Sequence, residues 1–318
     1  MEIEADSTTA HAIVGAMAAV ATAGGKVTLT EADRVSLTAA HRYMLRQEGP
    51  LDIGALSAPA PADLADRLDD AEQADKALKM LAVMALVDGT VAPAKIALLE
   101  SYAEALGRKS DYLQELAEAA QGHLRWAGMD MVRHNMLSIT GQPWADDDVM
   151  PWLLPYQGAN ADEALADRYR GLAALPAGTL GHSFWQWYDK HGFAFPGEAD
   201  ALNEAFAVPH DSTHLISGYS TSYRGEILVS TFTAGMHPEE PMAGHILPVI
   251  FSWHLGVELI EHAGAHKGAL DPEAFWQAWR RGQDTAGDLF ARDWDFWSVA
   301  EVPLAELQER YGVPPLVS

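Results

Sequence analysis

The stretch that most constrains how this chain can fold is residues 210 to 226, which read HDSTHLISGYSTSYRGE. His210, Asp211 and His214 stand at i, i+1 and i+4, so on a helix of about 3.6 residues per turn they share one face roughly 100° wide. A single straight helix would carry Glu226 about 18 Å past His214. Because glycine and serine crowd the residues between them, the sequence predicts a turn and a second helix that brings Glu226 back over the histidine face.

These four side chains predict a metal site. Two imidazoles one helical turn apart can bind one metal ion, and carboxylates complete a set of nitrogen and oxygen ligands with room for one or two open positions. The chain contains no cysteine, so thiolate ligands and disulfides are excluded. The alternative is a histidine pair bonded to a nearby acid without a metal. That arrangement buries several polar groups between apolar helices, at a desolvation cost of roughly a few kcal/mol each.

Two broad chemistries are open to such a site. Zinc would polarise an oxygen atom or activate water, whereas iron held by two histidines and one carboxylate suits reactions with oxygen. Zinc cannot change its oxidation state, so it cannot drive an oxidative step by itself. Asp211 and Glu226 are the candidate catalytic residues, each able to act as a base.

The motif H-D-x-x-H, followed by eleven residues and a glutamate, resembles the signature of the Coq-four family of ubiquinone biosynthesis. Three further blocks resemble that family in the same order: GTLGHSFWQWYDKHGFAF at 178–195, GYSTSYRGEI at 218–227 and VPLAELQERYGVPPL at 302–316. The resemblance covers residues 165–318. Ser212 and Thr213 depart from it, since bulkier apolar or aromatic residues often occupy these positions in the family.

The resemblance implies a site and a substrate. His210, Asp211, His214 and Glu226 match the family's metal ligands, which are usually described for zinc; iron and manganese are the alternatives. The family is credited with removing the carboxyl group of a prenylated aromatic ring and hydroxylating the same carbon. The resemblance therefore implies a prenylated or aromatic small molecule as the partner, and an apolar groove for its isoprenoid tail.

The first half of the chain contains an internal repeat. Residues 10–46 and 74–107 align at an offset of 64, and each copy reads helix, glycine turn, capping segment, helix. Gly25 and Gly89 fit the left-handed positions that end helices. The two copies are expected to bury their apolar faces against each other.

The segment DGTVAPAKIALLESYAEALG, at 88–107, resembles the TerB domain of tellurite resistance, an all-α module. The resemblance gives residues 1–137 as a TerB-like domain. Asp88 stands where some relatives bind metal through acidic residues. The metal-free interpretation is favoured here, because the first repeat has Gly24 at the equivalent position and the loop lacks the carboxylates of a calcium site.

The fold class predicted is all-α, with two helical domains. Prolines, glycines and a run of aspartates mark residues 138–164 as a linker, and residues 165–318 form the Coq-four-like metal-site domain. No stretch shows sustained alternation of apolar and polar residues, so no strand is predicted. The helices expected around the site span 180–191, 198–217, 225–235 and 245–264.

Charge and hydropathy limit the partners. A net charge of −24 would repel phosphate backbones, so nucleic acid is excluded as a partner. The longest apolar stretch, residues 246–260, is too short and too polar to cross a bilayer, so no transmembrane segment is expected. Peripheral contact with a membrane is left open. Together with the acidic N-terminus, these features predict a soluble cytoplasmic protein, and the long apolar helices predict a homo-oligomer.

A second set of residues has metal-ligand spacing. His254, Glu258 and His262 recur at i, i+4 and i+8 on the helix expected at 245–264. The favoured interpretation is a solvent-facing stripe on an amphipathic helix. The remaining histidines of the second half, His245 among them, have no ligand spacing.

Three hypotheses about function follow. The first is a metal-dependent enzyme, of decarboxylase or hydroxylase type, that acts on a quinone precursor or a related metabolite. The second is a scaffold without turnover that binds a prenyl lipid and holds a structural metal. A third is a stress-response protein dominated by its TerB-like half.

Overall fold

A computed structural model describes residues 3–68, 70–142, 150–259 and 264–316. Within these residues the protein is all-α, as predicted, and its extended pairs are two isolated bridges, Thr179 with Pro303 and Leu255 with Lys267. The α-helices are α1 Ser7–Ala21, α2 Glu31–Tyr43, α3 Pro61–Ala65, α4 Ala71–Met84, α5 Pro93–Ala105, α6 Asp111–Ala120, α7 Leu124–Thr140, α8 Met150–Leu153, α9 Glu163–Arg170, α10 Leu180–His191, α11 Glu204–Ser217, α12 Tyr223–Met236, α13 Leu247–Trp253, α14 Pro272–Gln283, α15 Phe296–Val299 and α16 Leu304–Arg310. A π-helix, Pro241–Ile246, leads into α13, and short 3-10 turns lie at Ile53–Ala55, Gly158–Asn160 and Gly171–Ala174.

The second helix of each predicted repeat begins on the expected signal, but α1 and α4 end at Ala21 and Met84, several residues before the glycines predicted to end them. Thr30 and Asp33 form a capping box at the start of α2, and Pro93 is the first residue of α5. Gly25 and Gly89 have φ angles of 87° and 78°, the left-handed conformation that a glycine adopts without strain. Local backbone chemistry therefore accounts for both helical pairs.

The apolar core joins the two halves of the chain. One cluster of buried residues runs from Ile3 through α4 and α5 and includes residues of α12, α13 and α14. Trp276 of α14 donates a hydrogen bond from Nε1 to the Oγ of Ser36 in α2, at 2.8 Å. The domain boundaries at 137 and 165 stay a prediction, and part of the proposed linker, 143–149, lies outside the described residues.

A second apolar cluster supports the C-terminal half. It contains Phe184 and Tyr188 of α10, Val229 and Phe232 of α12, and Leu307 of α16. This cluster lies behind the predicted metal-binding helices and fixes their position.

Helices α12 and α14 meet at two glycines. A Cβ at Gly282 would lie 2.0 Å from the carbonyl oxygen of Phe232, and a Cβ at Gly235 would lie 2.4 Å from that of Trp279. Such distances mean that the two backbones touch, with no space for a side chain at either position.

The end of α11 is held by a buried arginine of α14. Arg281 donates from Nη2 to the carbonyl oxygens of Ser217, at 3.0 Å, and Pro314, at 2.8 Å. Its guanidinium also lies 5.0 Å from the centre of the Tyr219 ring. Arg281 therefore ties together the last residue of α11, the turn that follows it and the C-terminal tail.

Two of the predicted helix boundaries were wrong. The helix expected at 245–264 ends at Trp253, after which Gly256 turns the chain with a φ of 74°. The motif helix begins at Glu204, because Asp200 is left-handed, with a φ of 66°, and Asn203 provides the cap. The helix expected at 180–191 is confirmed as α10. None of the described helices combines the length and the apolar character needed to cross a bilayer.

Candidate metal centre

Helices α11 and α12 are joined by the predicted turn. Gly218 ends α11 with a φ of 81°, the left-handed conformation for which glycine is suited. Ser222 then begins α12, where its side chain accepts a hydrogen bond from the backbone N–H of Gly225 at 3.1 Å. Gly225 packs against the turn so closely that a Cβ there would lie 1.9 Å from the carbonyl oxygen of Ser220. This tight turn places Glu226 in the first turn of α12, facing α11.

The structure brings the four predicted ligands together. The carboxylate of Glu226 lies between two imidazoles, with Oε2 3.3 Å from Nε2 of His210 and Oε1 3.4 Å from Nε2 of His214. One ligand atom each from His210, Asp211 and His214 lie within 4.8 Å of one another. The two imidazoles are thus close enough to share one cation with either carboxylate.

His214 shows most directly that this donor set fits a metal. Its Nδ1–H donates to the backbone carbonyl of Tyr219 at 3.0 Å, which directs Nε2 toward the cluster. The residue is 1% exposed, and Nε2 is a buried atom without a hydrogen-bond partner. At 3.4 Å, Glu226 is near enough for an ionic contact but is not aligned for a hydrogen bond. A cation bound between them would satisfy both groups.

Asp211 is oriented from α10. The hydroxyl of Tyr188 donates to Oδ2 of Asp211 at 2.6 Å. Burial raises the pKa of Asp211, and the opposing effects of His210 and Tyr188 do not cancel it. Tyr188 lies in the helix expected at 180–191, but it is not among the site residues predicted from the sequence. Its contact joins residues 23 positions apart, which the spacing of the motif could not reveal.

The electrostatic environment shifts the pKa values of Asp211 and Glu226 in opposite directions. Burial by itself would raise the pKa of Glu226, but the imidazoles of His210 and His214 outweigh it and hold the pKa at about 2. Burial opposes protonation of His210, yet Glu226 raises the pKa of that imidazole. Glu226 is therefore the permanent anion of the pair, while Asp211 is the carboxyl group that can carry a proton.

The cluster forms part of the wall of a large cavity. Its volume is about 880 Å³, and His210, Asp211 and Glu226 reach its surface. Most of the remaining wall is apolar, with contributions from Val132, Met136, Leu153, Phe206, Val249 and Trp253. A buried polar cluster in an apolar cavity is the usual composition of a small-molecule site.

We expect Tyr188→Phe to weaken zinc binding by about 10- to 100-fold, the usual cost of losing a group that orients a ligand. The buried carboxylate of Asp211 would lose the donor that holds Oδ2. A competition titration against a chromogenic chelator would measure the change. Tyr169→Phe is the matched control, because its hydroxyl donates to Glu204 rather than to the cluster. Equal affinity in the wild type and Tyr188→Phe would contradict the orienting role.

A second group of potential ligands lies between α6 and α7. Glu115, Asp130 and His134 are close enough to hold a cation. Nδ1 of His134 lies 3.0 Å from Oε1 of Glu115, and Nε2 lies 3.3 Å from Oδ2 of Asp111. Because both ring nitrogens face carboxylates, a protonated imidazole can serve as the counter-ion by itself. We interpret this group as an ion pair that joins the two helices.

This pair predicts a pH dependence of stability. Glu115 raises the pKa of His134 to about 9, and burial raises the pKa of Glu115 to about 7. The folded chain keeps the proton on His134 above the ordinary pKa of 6.5, where the unfolded chain releases it. This stabilisation is complete below pH 6.5 and is lost as the pH rises through 9.

We therefore expect the free energy of unfolding of the wild type to fall more between pH 6 and pH 9.5 than that of the double variant Glu115→Gln/His134→Gln, because both raised pKa values favour protonated groups in the folded chain. Urea unfolding at both pH values would measure the difference. His123→Gln is the control, because that imidazole pairs with Glu118 at an exposed position. Parallel pH profiles for the wild type and the double variant would rule out the ion pair.

The second set with metal-ligand spacing, His254, Glu258 and His262, does not lie on one helix, because α13 ends at Trp253. His254 is buried, its Nε2–H donates to the carbonyl of Val87 at 3.0 Å, and Nδ1 accepts from the N–H of Leu270. The solvent-facing interpretation was therefore wrong for His254, because α13 ends at Trp253 and the chain folds inward. His262 lies outside the described residues.

Both carboxylate oxygens of Asp88 already contact protein groups. The buried ammonium of Lys95 lies 2.6 Å from its Oδ2, and the hydroxyl of Thr90 donates to Oδ1 at 2.8 Å. Lys95 supplies the positive charge that a metal would bring, which agrees with the metal-free interpretation of this loop.

Comparisons with known proteins are sparse. No family model matches the chain, and no curated protein matches it. Among the solved structures that match is a protein from Nostoc punctiforme PCC 73102, assigned provisionally to ubiquinone biosynthesis. The two chains are 22% identical, and the match covers 64% of this chain and 95% of that one with a TM-score of 0.33. A TM-score this low carries no argument about fold or activity.

Proposed function

We propose that this protein is a metal-dependent enzyme that acts on a prenylated aromatic compound or a related quinone precursor. The observation that carries the proposal is the cluster of His210, Asp211, His214 and Glu226 on the wall of an apolar cavity of about 880 Å³. The motif resembles the Coq-four signature, which supports zinc as the metal, with iron and manganese as alternatives. The apolar wall is suited to an isoprenoid chain.

A bound metal ion would supply Lewis acidity, polarising an oxygen atom of the substrate or of water. The chain itself would supply the proton chemistry. Tyr188 already donates to Oδ2 of Asp211, so a proton carried by Asp211 would sit on Oδ1. Burial raises the pKa of Asp211 in the metal-free protein, whereas a bound cation would lower it, so Asp211 as a ligand would act as a base.

Metal binding should also release protons. Without a metal, Glu226 favours the protonated form of His210, and that proton must leave before Nε2 can act as a ligand. The affinity for zinc is therefore expected to rise with pH. Because this dependence does not require turnover, it can be measured before a substrate is known.

The alternative is a scaffold that binds a prenyl lipid and holds a structural metal. Binding of the ion by all four protein groups would favour it, since four protein ligands that close a zinc site are typical of structural zinc. A three-ligand site with an open position would instead favour catalysis. Coordination number is therefore the property that separates the two functions.

The first test is elemental analysis of the purified protein, together with mass spectrometry of any apolar compound extracted from it. We expect about one zinc, iron or manganese ion per chain. A protein that contains none, and binds none when titrated with Zn²⁺, Fe²⁺ or Mn²⁺, would overturn both the enzyme and the scaffold.

Cobalt substitution would then separate the two. In an open site, added azide should occupy the free position and change the visible absorption of bound Co²⁺. A spectrum that azide leaves unaltered, with absorption typical of four protein ligands, would favour the scaffold and count against the enzyme.

A further inference from the structure

The cavity contains a second polar feature apart from the four-residue cluster. His245 lies in the π-helix Pro241–Ile246, is 4% exposed and lines the same cavity. Single-turn π-helices occur frequently at functional sites, where they reposition a side chain. His245 lacks ligand spacing in the sequence, and its partners come from distant segments, namely α7 and residues after α14.

Hydrogen bonds define the proton position on His245. The hydroxyl of Ser138 donates to the carbonyl of Asn135 at 2.9 Å, so its oxygen is available as an acceptor. Nε2 of His245 lies 3.0 Å from that oxygen and must therefore carry the proton. Nδ1 is left with a free lone pair. Among the described residues no group donates to Nδ1, and His245 lines the cavity.

The surroundings keep this imidazole neutral. His237 lies edge-on to it with ring centres 5.8 Å apart, and its own nitrogens face Oδ2 of Asp288, at 2.8 Å, and the carbonyl of Ser138, at 3.3 Å. Burial, with the nearby His237 and His210, lowers the pKa of His245 to about 3. His245 is therefore a hydrogen-bond acceptor at any pH at which the protein is expected to function.

Helix α12 adds another acceptor to the same cavity. Glu226, Ser230 and Thr233 all line it, at i, i+4 and i+7, so the cavity follows α12 for about 10 Å. The hydroxyl of Thr233 donates to the carbonyl of Val229 at 3.0 Å, which leaves its oxygen as an acceptor. Away from the cluster, the polar wall thus includes the Thr233 hydroxyl oxygen as an acceptor beside the hydroxyl of Ser230.

We propose that Nδ1 of His245 accepts a hydrogen bond from a hydroxyl group of the ligand. The cavity would then select an apolar molecule with an O–H donor for His245. This donor would be separate from the group of the ligand that contacts the four-residue cluster. A ligand without the donor would leave a buried nitrogen unsatisfied, and such a mismatch discriminates strongly between otherwise similar molecules. The inference deepens the proposed function, and it rests on the cavity rather than on the bound metal.

The test compares 4-hexylphenol with 4-hexylanisole, which have the same apolar body but differ in the donor. Binding to metal-free protein would be followed by calorimetry, because a phenol could otherwise bind the metal directly. We expect the wild type to bind the phenol at least about 10-fold more tightly, as the loss of one buried hydrogen bond predicts. Equal binding of the two probes, or a preference that requires zinc, would overturn the proposal.

Two variants assign the preference to Nδ1. His245→Phe should bind both probes about equally, since it keeps the ring and removes the acceptor. His245→Asn should restore part of the preference, because its side-chain oxygen can occupy the position of Nδ1. If His245→Phe folds and keeps the full preference for the phenol, His245 is not the acceptor.

The outcome is separable from that of the metal proposal. His245→Phe should bind zinc as the wild type does, whereas His214→Ala should lose zinc and keep the preference for the phenol. A wild type that binds no metal but prefers the phenol would reject the proposed function and retain this acceptor site.

Discussion

Replacing His214 with alanine should lower the affinity for Zn²⁺ by more than about 100-fold. Losing a group that only orients a ligand costs about 10- to 100-fold, so losing the ligand itself should cost more. His214 is the most constrained of the four, being 1% exposed with Nδ1 committed to Tyr219. A competition titration at fixed pH would measure the loss.

The fold should survive this substitution. The N-cap of α12 and the contacts of Arg281 with the end of α11 do not involve the imidazole. His191→Ala is the matched control, because it removes an exposed imidazole from the end of α10. We expect the control to bind Zn²⁺ as the wild type does. A folded His214→Ala protein with wild-type affinity would show that the cluster is not the metal site.

The local geometry of the site could be predicted because local residues determine it. The i, i+4 spacing of His210 and His214 requires only a helix, and the glycine at 218 requires only a turn. Those two features are sufficient to return Glu226 to the histidine face. The distances of 3.3 and 3.4 Å between Glu226 and the two imidazoles agree with that expectation.

The rest of the cavity could not be predicted, because distant residues form it. Tyr188 reaches Asp211 from another helix, and His245 depends on Ser138 of α7, 107 positions earlier in the chain. Neither contact leaves a pattern in the spacing of one segment. Periodicity located the helices that carry these residues, but it contained no information about which faces would meet.

The helix expected at 245–264 is a case in which the local sequence pattern predicted the wrong structure. Apolar and polar residues there follow a helical pattern, yet α13 ends at Trp253. The carbonyl of Val87 and the N–H of Leu270 bind the ring of His254, and Gly256 supplies the turn. These contacts with a separate part of the chain outweighed the preference of residues 254–264 for a helix. The bond between His254 and Val87 also joins the C-terminal half to the N-terminal repeat, next to the loop at residues 88–90.

Gly282→Ala should destabilise the protein by about 3 kcal/mol or more. The new methyl group would lie 2.0 Å from the carbonyl oxygen of Phe232, a backbone atom that no rotamer change can move. Overpacking usually costs about 1–3 kcal/mol, and a clash with backbone belongs at the upper end. Helices α12 and α14 would have to separate. Because α12 carries Glu226, zinc affinity should fall together with stability.

Gly171→Ala separates this clash from the general effect of replacing glycine. Gly171 has a φ of −60°, and a Cβ there would meet nothing within 4 Å. The same substitution should therefore leave stability unchanged or raise it by up to about 1 kcal/mol, through the unfolded chain. Chemical unfolding and zinc titration of both variants would test the contact. If Gly282→Ala matches Gly171→Ala in both measurements, the backbones of α12 and α14 are not in contact at Gly282. Glu226 would then be positioned by the turn at Gly225 alone.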